Sequence, residues 1–206
     1  MRPVLRSLAA GGALSRTALF GLVTLALAAC GMPKPAPTSM ADVGAGSVLV
    51  VGTVEIDPPL RAAERDVDMP NDLFNLSAAM ENRAIFWAAD DPRAARSVTG
   101  HSINPELGRT YFFAVPRDQP YLVDGQITTN MANFVERRIL LPSPLRLDMR
   151  AADRAIYVGT LRLTRDEFNE VIAVEVVDEY RQAARELAGR FGPGVELRRA
   201  LLQIPG

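Results

Sequence analysis

The chain of 206 residues has one cysteine, one histidine and one tryptophan. A single cysteine excludes an internal disulfide scaffold. One histidine beside one cysteine is too thin a supply for a zinc site, which draws on several such side chains. Neither charge dominates: 23 Lys and Arg stand against 24 Asp and Glu, which excludes a strongly basic nucleic-acid binder. Lysine is almost missing, since Lys34 is the only one and the other 22 basic residues are arginine. The arginines are dispersed, as a GC-rich coding bias would leave them; a set of planar forks for anions is the sharper alternative. Neither G-x-x-x-x-G-K-[ST] nor G-x-G-x-x-G occurs, so nucleotide binding has no support. What the chain does have is 48% apolar residues, enough for one domain with a real core and too many for a wholly disordered chain.

The first apolar run stands apart from the rest. Arg2, Arg6 and Arg16 precede an uncharged stretch from Thr17 to Ala29. As a helix it would reach about 20 Å, short of the ~30 Å hydrocarbon core that a spanning helix must cross. A positive start, a short apolar run and small residues at its end describe a secretory signal. The run closes on Leu27-Ala28-Ala29-Cys30-Gly31, which resembles the lipobox of bacterial lipoprotein precursors. That resemblance implies a diacylglyceryl thioether on Cys30, cleavage just before it, and acylation of the new amine. The residue types suit the chemistry. A thiolate is a strong nucleophile, and small neighbours let a peptidase reach the backbone. An ordinary secretory signal with a chance cysteine, or an uncleaved anchor, is the plainer alternative.

Several expectations follow. Residues 1–29 form the signal peptide and leave 177 residues, with 20 basic and 24 acidic side chains. A net charge of −4 gives no polybasic attraction to an anionic membrane. With ~0.8 kcal/mol per buried CH₂, more than one acyl chain makes a stable anchor without it. Gly31, not aspartate, follows the cysteine; by the same resemblance this implies the periplasmic face of the outer membrane, with the outer leaflet of the inner membrane as the alternative. Residues 30–46 hold Pro33, Pro35, Pro37, Gly44 and Gly46 and read as a lipidated cysteine and tether.

The domain proper is expected over 47–206. Ser47–Asp57 alternates β-branched residues and stops at Pro58-Pro59, the mark of a strand. Further strands are expected at Ala84–Ala88, Thr110–Val115, Tyr121–Thr128, Phe134–Leu141, Leu145–Met149, Ala155–Leu163 and Val171–Val177. Residues 57–72 and 90–108 read as long loops, with a short helix over Asp72–Met80. Thr110–Val115 and Tyr121–Thr128 read as a hairpin across Pro116–Pro120. One helix is expected after Asp178, with Tyr180, Ala183, Ala184, Leu187 and Phe191 along one face and Gly192-Pro193 ending it. Val195–Ile204 reads as a last strand or short helix. The fold class is therefore mainly β: an antiparallel β-sandwich of about seven to nine strands with one C-terminal helix packed on it.

Arg109–Thr128 adds a family likeness. Its strand ends in a proline turn and Tyr121 opens the next strand, which resembles prealbumin-like sandwich domains of the kind many envelope lipoproteins carry. Asp118 and Gln119 stand where those domains usually have a turn glycine. The resemblance implies a sandwich fold and transfers no active-site residue.

Candidate chemistry is sparse. His101 lies beside Ser102 in a polar loop without a G-x-S-x-G elbow, so no catalytic residue is assigned. Asp66, Asp68, Asn71 and Asp72 offer oxygen ligands of the kind calcium takes, but without the glycine and terminal glutamate of an EF-hand; a solvated acidic loop accounts for them, and no metal is expected. Trp87, Tyr111 and Tyr121 are the candidate ligand-binding residues, as aromatics able to line a glycan or peptide groove, although aromatics in strands usually serve the core. The only lipid or cofactor chemistry expected is the covalent acyl group on Cys30, with Leu27, Ala28, Ala29 and Gly31 as the peptidase recognition residues. The reading that emerges is a non-enzymatic, membrane-anchored periplasmic lipoprotein that binds another envelope protein. Glycan or small-ligand binding is the alternative, and a carboxylate-based hydrolase a third.

Overall fold

A computed structural model describes residues 36–65, 81–94, 101–131 and 135–204. The segment read as a signal peptide, Cys30 with its flanking residues, the acidic stretch from Asp66 to Asp72 and the helix expected over Asp72–Met80 lie outside the described residues.

Within them the chain forms two sheets and a helical layer. The strands are β1 (Ser47–Asp57), β2 (Ala84–Ala89), β3 (Ser102–Ile103), β4 (Tyr111–Pro116) and β5 (Tyr121–Met131). They continue as β6 (Val135–Leu140), β7 (Leu145–Arg146), β8 (Ala155–Arg165), β9 (Val171–Val177) and β10 (Leu197–Arg199). The helices are α1 (Met40–Val43), α2 (Ala62–Arg65) and α3 (Tyr180–Phe191). The first sheet runs β10-β8-β1-β4 with β9 also on β8; the second runs β3-β2-β5-β6 with β7 also on β5.

The sandwich class is thus correct, and three details differ. The first sheet is mixed rather than antiparallel, because β1 pairs with β8 and β10 with β8 in parallel. Between β1 and β8 the chain builds β4 of the same sheet and the five strands of the second, and then returns in β8 running the same way as β1. The described strands number ten: the eight expected, with β7 shortened to two residues, plus the short β3 inside the loop expected over 90–108 and β10 inside the stretch read as a last strand or short helix. The expected hairpin across Pro116–Pro120 is not one: β4 pairs with β1 and β5 with β2, so the link crosses between sheets. Pro116 and Pro120 lack the N–H groups with which a hairpin ladder would start. Arg117 instead fixes the corner, donating to the carbonyl of Arg150 at 2.7 Å.

The cores follow from the strand alternation. Val48, Val50, Val54 and Ile56 of β1 face the second sheet, where Phe86, Leu122, Ile127 and Ile139 meet them. Leu49 and Val51 face the other way, onto the helical layer with Phe112, Tyr157, Ala183 and Leu187. A third apolar group, Ile85, Trp87, Ala89 and Val123, lies on the far face of the second sheet.

β8 departs from the simple alternation expected for it. Ala155, Tyr157, Gly159, Leu161 and Leu163 read as one face, yet Ala155 and Tyr157 face the helix while Leu161 and Leu163 face the inter-sheet core. Val51 pairs with Tyr157 but Thr53 with Thr160, so Gly52 alone opposes Val158 and Gly159. That extra residue is a β-bulge, and it inverts which side chains point inward. Gly159 permits it with φ +94, a left-handed value that L side chains rarely take. A second irregularity lies opposite Phe86, where Asp124 has φ +51 and Gly125 leaves room for the ring.

Helix α3 closes the helical face as expected, although Glu179, not Asp178, is its N-cap. Asp178 still accepts from the Tyr180 N–H at 3.1 Å through Oδ1. Ala183 and Leu187, one turn apart, are the buried residues of the stripe. Tyr180 stacks edge-on against Tyr157 and donates its hydroxyl to the Leu197 carbonyl at 2.6 Å. Tyr180→Phe keeps the ring and removes that bond. It is expected to cost about 1 kcal/mol, read as a lower urea midpoint at unchanged m-value.

Candidate functional site

The described end of the stretch read as tether, from residue 36 on, packs against the sandwich. Pro37 is buried and its carbonyl accepts from Arg190 Nη2 of α3 at 3.0 Å. The same guanidinium lies 5.1 Å from the centroid of the Phe112 ring, and Phe112 in turn meets Phe191. Asp42 then stops the chain and starts α1. Its Oδ2 accepts from the Thr38 N–H, the Thr38 hydroxyl and the Ser39 N–H, at 2.9, 2.9 and 2.8 Å. Those bonds, the Thr38 hydroxyl first, hold the Asp42 carboxyl below its ordinary range. The turn seats Val43 in the helical core. Proline and glycine content signals a spacer, but Asp42, three residues after Ser39, is the capping signal that the spacer reading passes over.

A recess of about 440 Å³ opens where this segment meets the sandwich edge. Asp42, His101, Ser102, Phe113 and Pro116 are among its lining residues. The structure therefore brings His101, Ser102 and an aspartate to one recess. The aspartate is already committed to three donors, and the His101 carbonyl accepts from the Ala88 N–H at 2.8 Å. A second recess of about 640 Å³ lies beside the end of β1, with Glu55, Asp57, Arg65 and Arg162 on its wall. Glu55 there is bonded to Arg162 at 3.0 Å.

The three candidate ligand-binding aromatics do not converge. Tyr111 is buried in the inter-sheet core, and burial pushes its phenol up. Trp87 is buried on the far face of the second sheet among Ile85, Ala89 and Val123, with Tyr121 half-buried beside that group. Strand β2 is buried on both faces, so Phe86 joins Tyr111 in the inter-sheet core while its neighbour Trp87 turns to the far-face group. Among the described residues, no set of three or more His, Cys, Asp or Glu side chains is placed to hold a metal ion, and no helix is long and apolar enough to cross a membrane.

No protein-family model, curated protein or solved structure matches this chain. The functional reading rests on its own residues.

Two charge clusters were not foreseen, because dispersed arginines give no local signal. Arg198 takes Asp153 with Nε and Nη2 at 2.8 and 2.7 Å, and Asp148 with Nη1 at 3.0 Å. The bonds from Arg198 hold the Asp153 carboxyl below its ordinary range. This cluster ties β10 to the loop before β8. Arg165, at the end of β8, is buried and takes both oxygens of Glu64 at 2.9 Å. It also donates to the carbonyls of Pro58 and Pro59 at 3.0 Å each, and meets Asn169 Oδ1. One guanidinium thereby fastens the exit of β1, helix α2 and the β8–β9 turn, as its planar fork allows.

Proposed function

We propose that the chain is a lipid-anchored envelope lipoprotein that presents its sandwich to a protein partner close to the membrane surface. Leu27-Ala28-Ala29-Cys30 at the end of the only signal-like run carries the anchoring part. The docked segment beginning at Pro37 supports the placement. An extended chain covers at most ~3.3–3.6 Å per residue, so from Cys30 to Pro37 it reaches no more than about 25 Å. A loose tether up to Ser47 would reach about 60 Å by the same arithmetic. The grip on Pro37 therefore turns a long leash into a short one and favours partners in or near the same membrane. The burial of Tyr111 weighs against a groove built from all three candidate aromatics, so protein binding takes precedence over glycan binding.

The test is Cys30→Ser in the native host. Wild-type chain is expected in the membrane fraction, with the mass of a diacylglyceryl thioether and an acylated amine on Cys30. The variant is expected to lose that mass and its membrane retention. Unmodified Cys30 in the wild type, or membrane retention untouched by the substitution, would sink the anchoring. In-cell crosslinking of the wild type should also trap an envelope protein that the variant does not.

A further inference from the structure

The β8–β9 turn and the start of β9 display two apolar side chains that the fold does not use. Phe168 in the turn and Ile172 in β9 are 61% and 64% exposed. The turn that carries Phe168 is tightly fixed. Asp166 Oδ1 accepts from the N–H groups of Phe168 and Glu170, both at 2.9 Å. The Asp166 N–H donates to the Glu170 carbonyl at 3.0 Å, and the Asn169 N–H to the Asp166 carbonyl at 3.2 Å. Asn169 holds the left-handed φ of +67, and its side chain meets the buried Arg165. Ile172 is set outward by a register shift, since Thr164 pairs with Ala173 but Arg165 with Val171.

An exposed phenylalanine on a fixed turn is a preformed anchor. Little conformational freedom remains to be lost when it is buried, which is what separates an energetically central contact from an incidental one. Its surroundings are acidic. Asp166, Glu167 and Glu170 flank it, while the one nearby cation in the turn sequence, Arg165, is already matched by Glu64.

We infer that the β8–β9 turn is the docking element for a protein that presents an apolar pocket rimmed by arginine or lysine. Phe168 fills the pocket, Ile172 covers its edge, and the acidic residues set orientation and encounter rate. A lipid surface is the poorer fit, because anionic headgroups repel this turn. The inference rests on the partner-binding reading above and names the surface that carries it.

The experiment uses the full-length chain in its own cells with a photo-reactive residue at Ile172, and in a second strain at Arg185 on the exposed side of α3. The Ile172 probe is expected to trap one envelope protein, through a peptide that maps to an apolar pocket flanked by basic residues. Phe168→Ala should lower the yield at least about tenfold, and Phe168→Leu should keep most of it. Glu167→Lys with Glu170→Lys should lower it comparably. Protease resistance equal to wild type shows that each variant is folded. Trapping from Arg185 alone would overturn the docking turn and leave the partner-binding reading standing. Trapping from neither position, with no partner under general crosslinking, would overturn both. A second copy of the chain, a lipid, or a yield indifferent to Phe168→Ala would overturn the assignment.

Discussion

Gly159→Ala should destabilise the protein by about 2–5 kcal/mol, combining left-handed strain of ~1–2 kcal/mol with overpacking of ~1–3 kcal/mol. An added Cβ would sit 2.6 Å from Val176 Cγ1 and 3.3 Å from Leu201 Cδ2, in a strand buried on both faces. The backbone cannot relax by losing its left-handed φ, because that would undo the bulge and turn Leu161 and Leu163 away from the core. Gly44→Ala is the control. It shares a positive φ of +74 but meets nothing within 4 Å, so only the strain remains. Urea denaturation of both variants beside the wild type separates the two contributions. Equal losses would mean that the β8 bulge does not govern the packing of the first sheet.

Arg165→Leu should cost about 3–5 kcal/mol, the usual result of removing one partner of a buried ion pair. For a domain of this size that lowers Tm by roughly 6–20 °C. Arg165 is 4% exposed and Glu64 18%, so the carboxylate left behind has little water to turn to. The same pair carries a pH signature. The hydrogen bonds from Arg165 lower the Glu64 carboxyl from 4.5 to about 2. A depressed folded-state value stabilises the fold above the unfolded value and loses that contribution on acidification. Stability from this pair is therefore complete above about pH 4.5 and fades as the pH falls toward about 2. The gap between wild type and Arg165→Leu should narrow over that window. In a Glu64→Gln background the substitution should cost less and the narrowing should vanish. A gap that stays constant from pH 6 to 2.5 would show that Arg165 acts only through the carbonyls of Pro58 and Pro59.

The candidate site divides along similar lines. Lys34, Pro33, Pro35 and Pro37 read as a spacer because proline content reports stiffness without saying what the chain lies against. Pro37 is docked only because Arg190, 153 positions later, brings a donor to its carbonyl. Arg165 and Glu64 are 101 positions apart and form a pair that no local pattern announces. Phe168 is apolar in sequence like any core residue; only the turn built by Asp166 and Asn169 leaves it outside.

Local patterning was enough for the elements themselves. The alternating runs of Ser47–Asp57 and Ala155–Leu163, the β-branched run of Val171–Val177 and the apolar stripe from Tyr180 to Phe191 each describe a surface that one chain segment must bury, so composition and spacing determine them. The proposed lipobox rests on the same kind of signal, since a contiguous run and its terminal cysteine need no fold to be read. Which sheet a strand joins, and in which direction, was settled by tertiary structure. β4 and β5 are neighbours in sequence and lie in different sheets, while β1 pairs in parallel with β8 nearly a hundred residues on. Alternation says that a strand has an inner face but not what covers it, and a single glycine at 159 reverses that face midway. Those choices depend on contacts between distant residues, which only the packed molecule brings together.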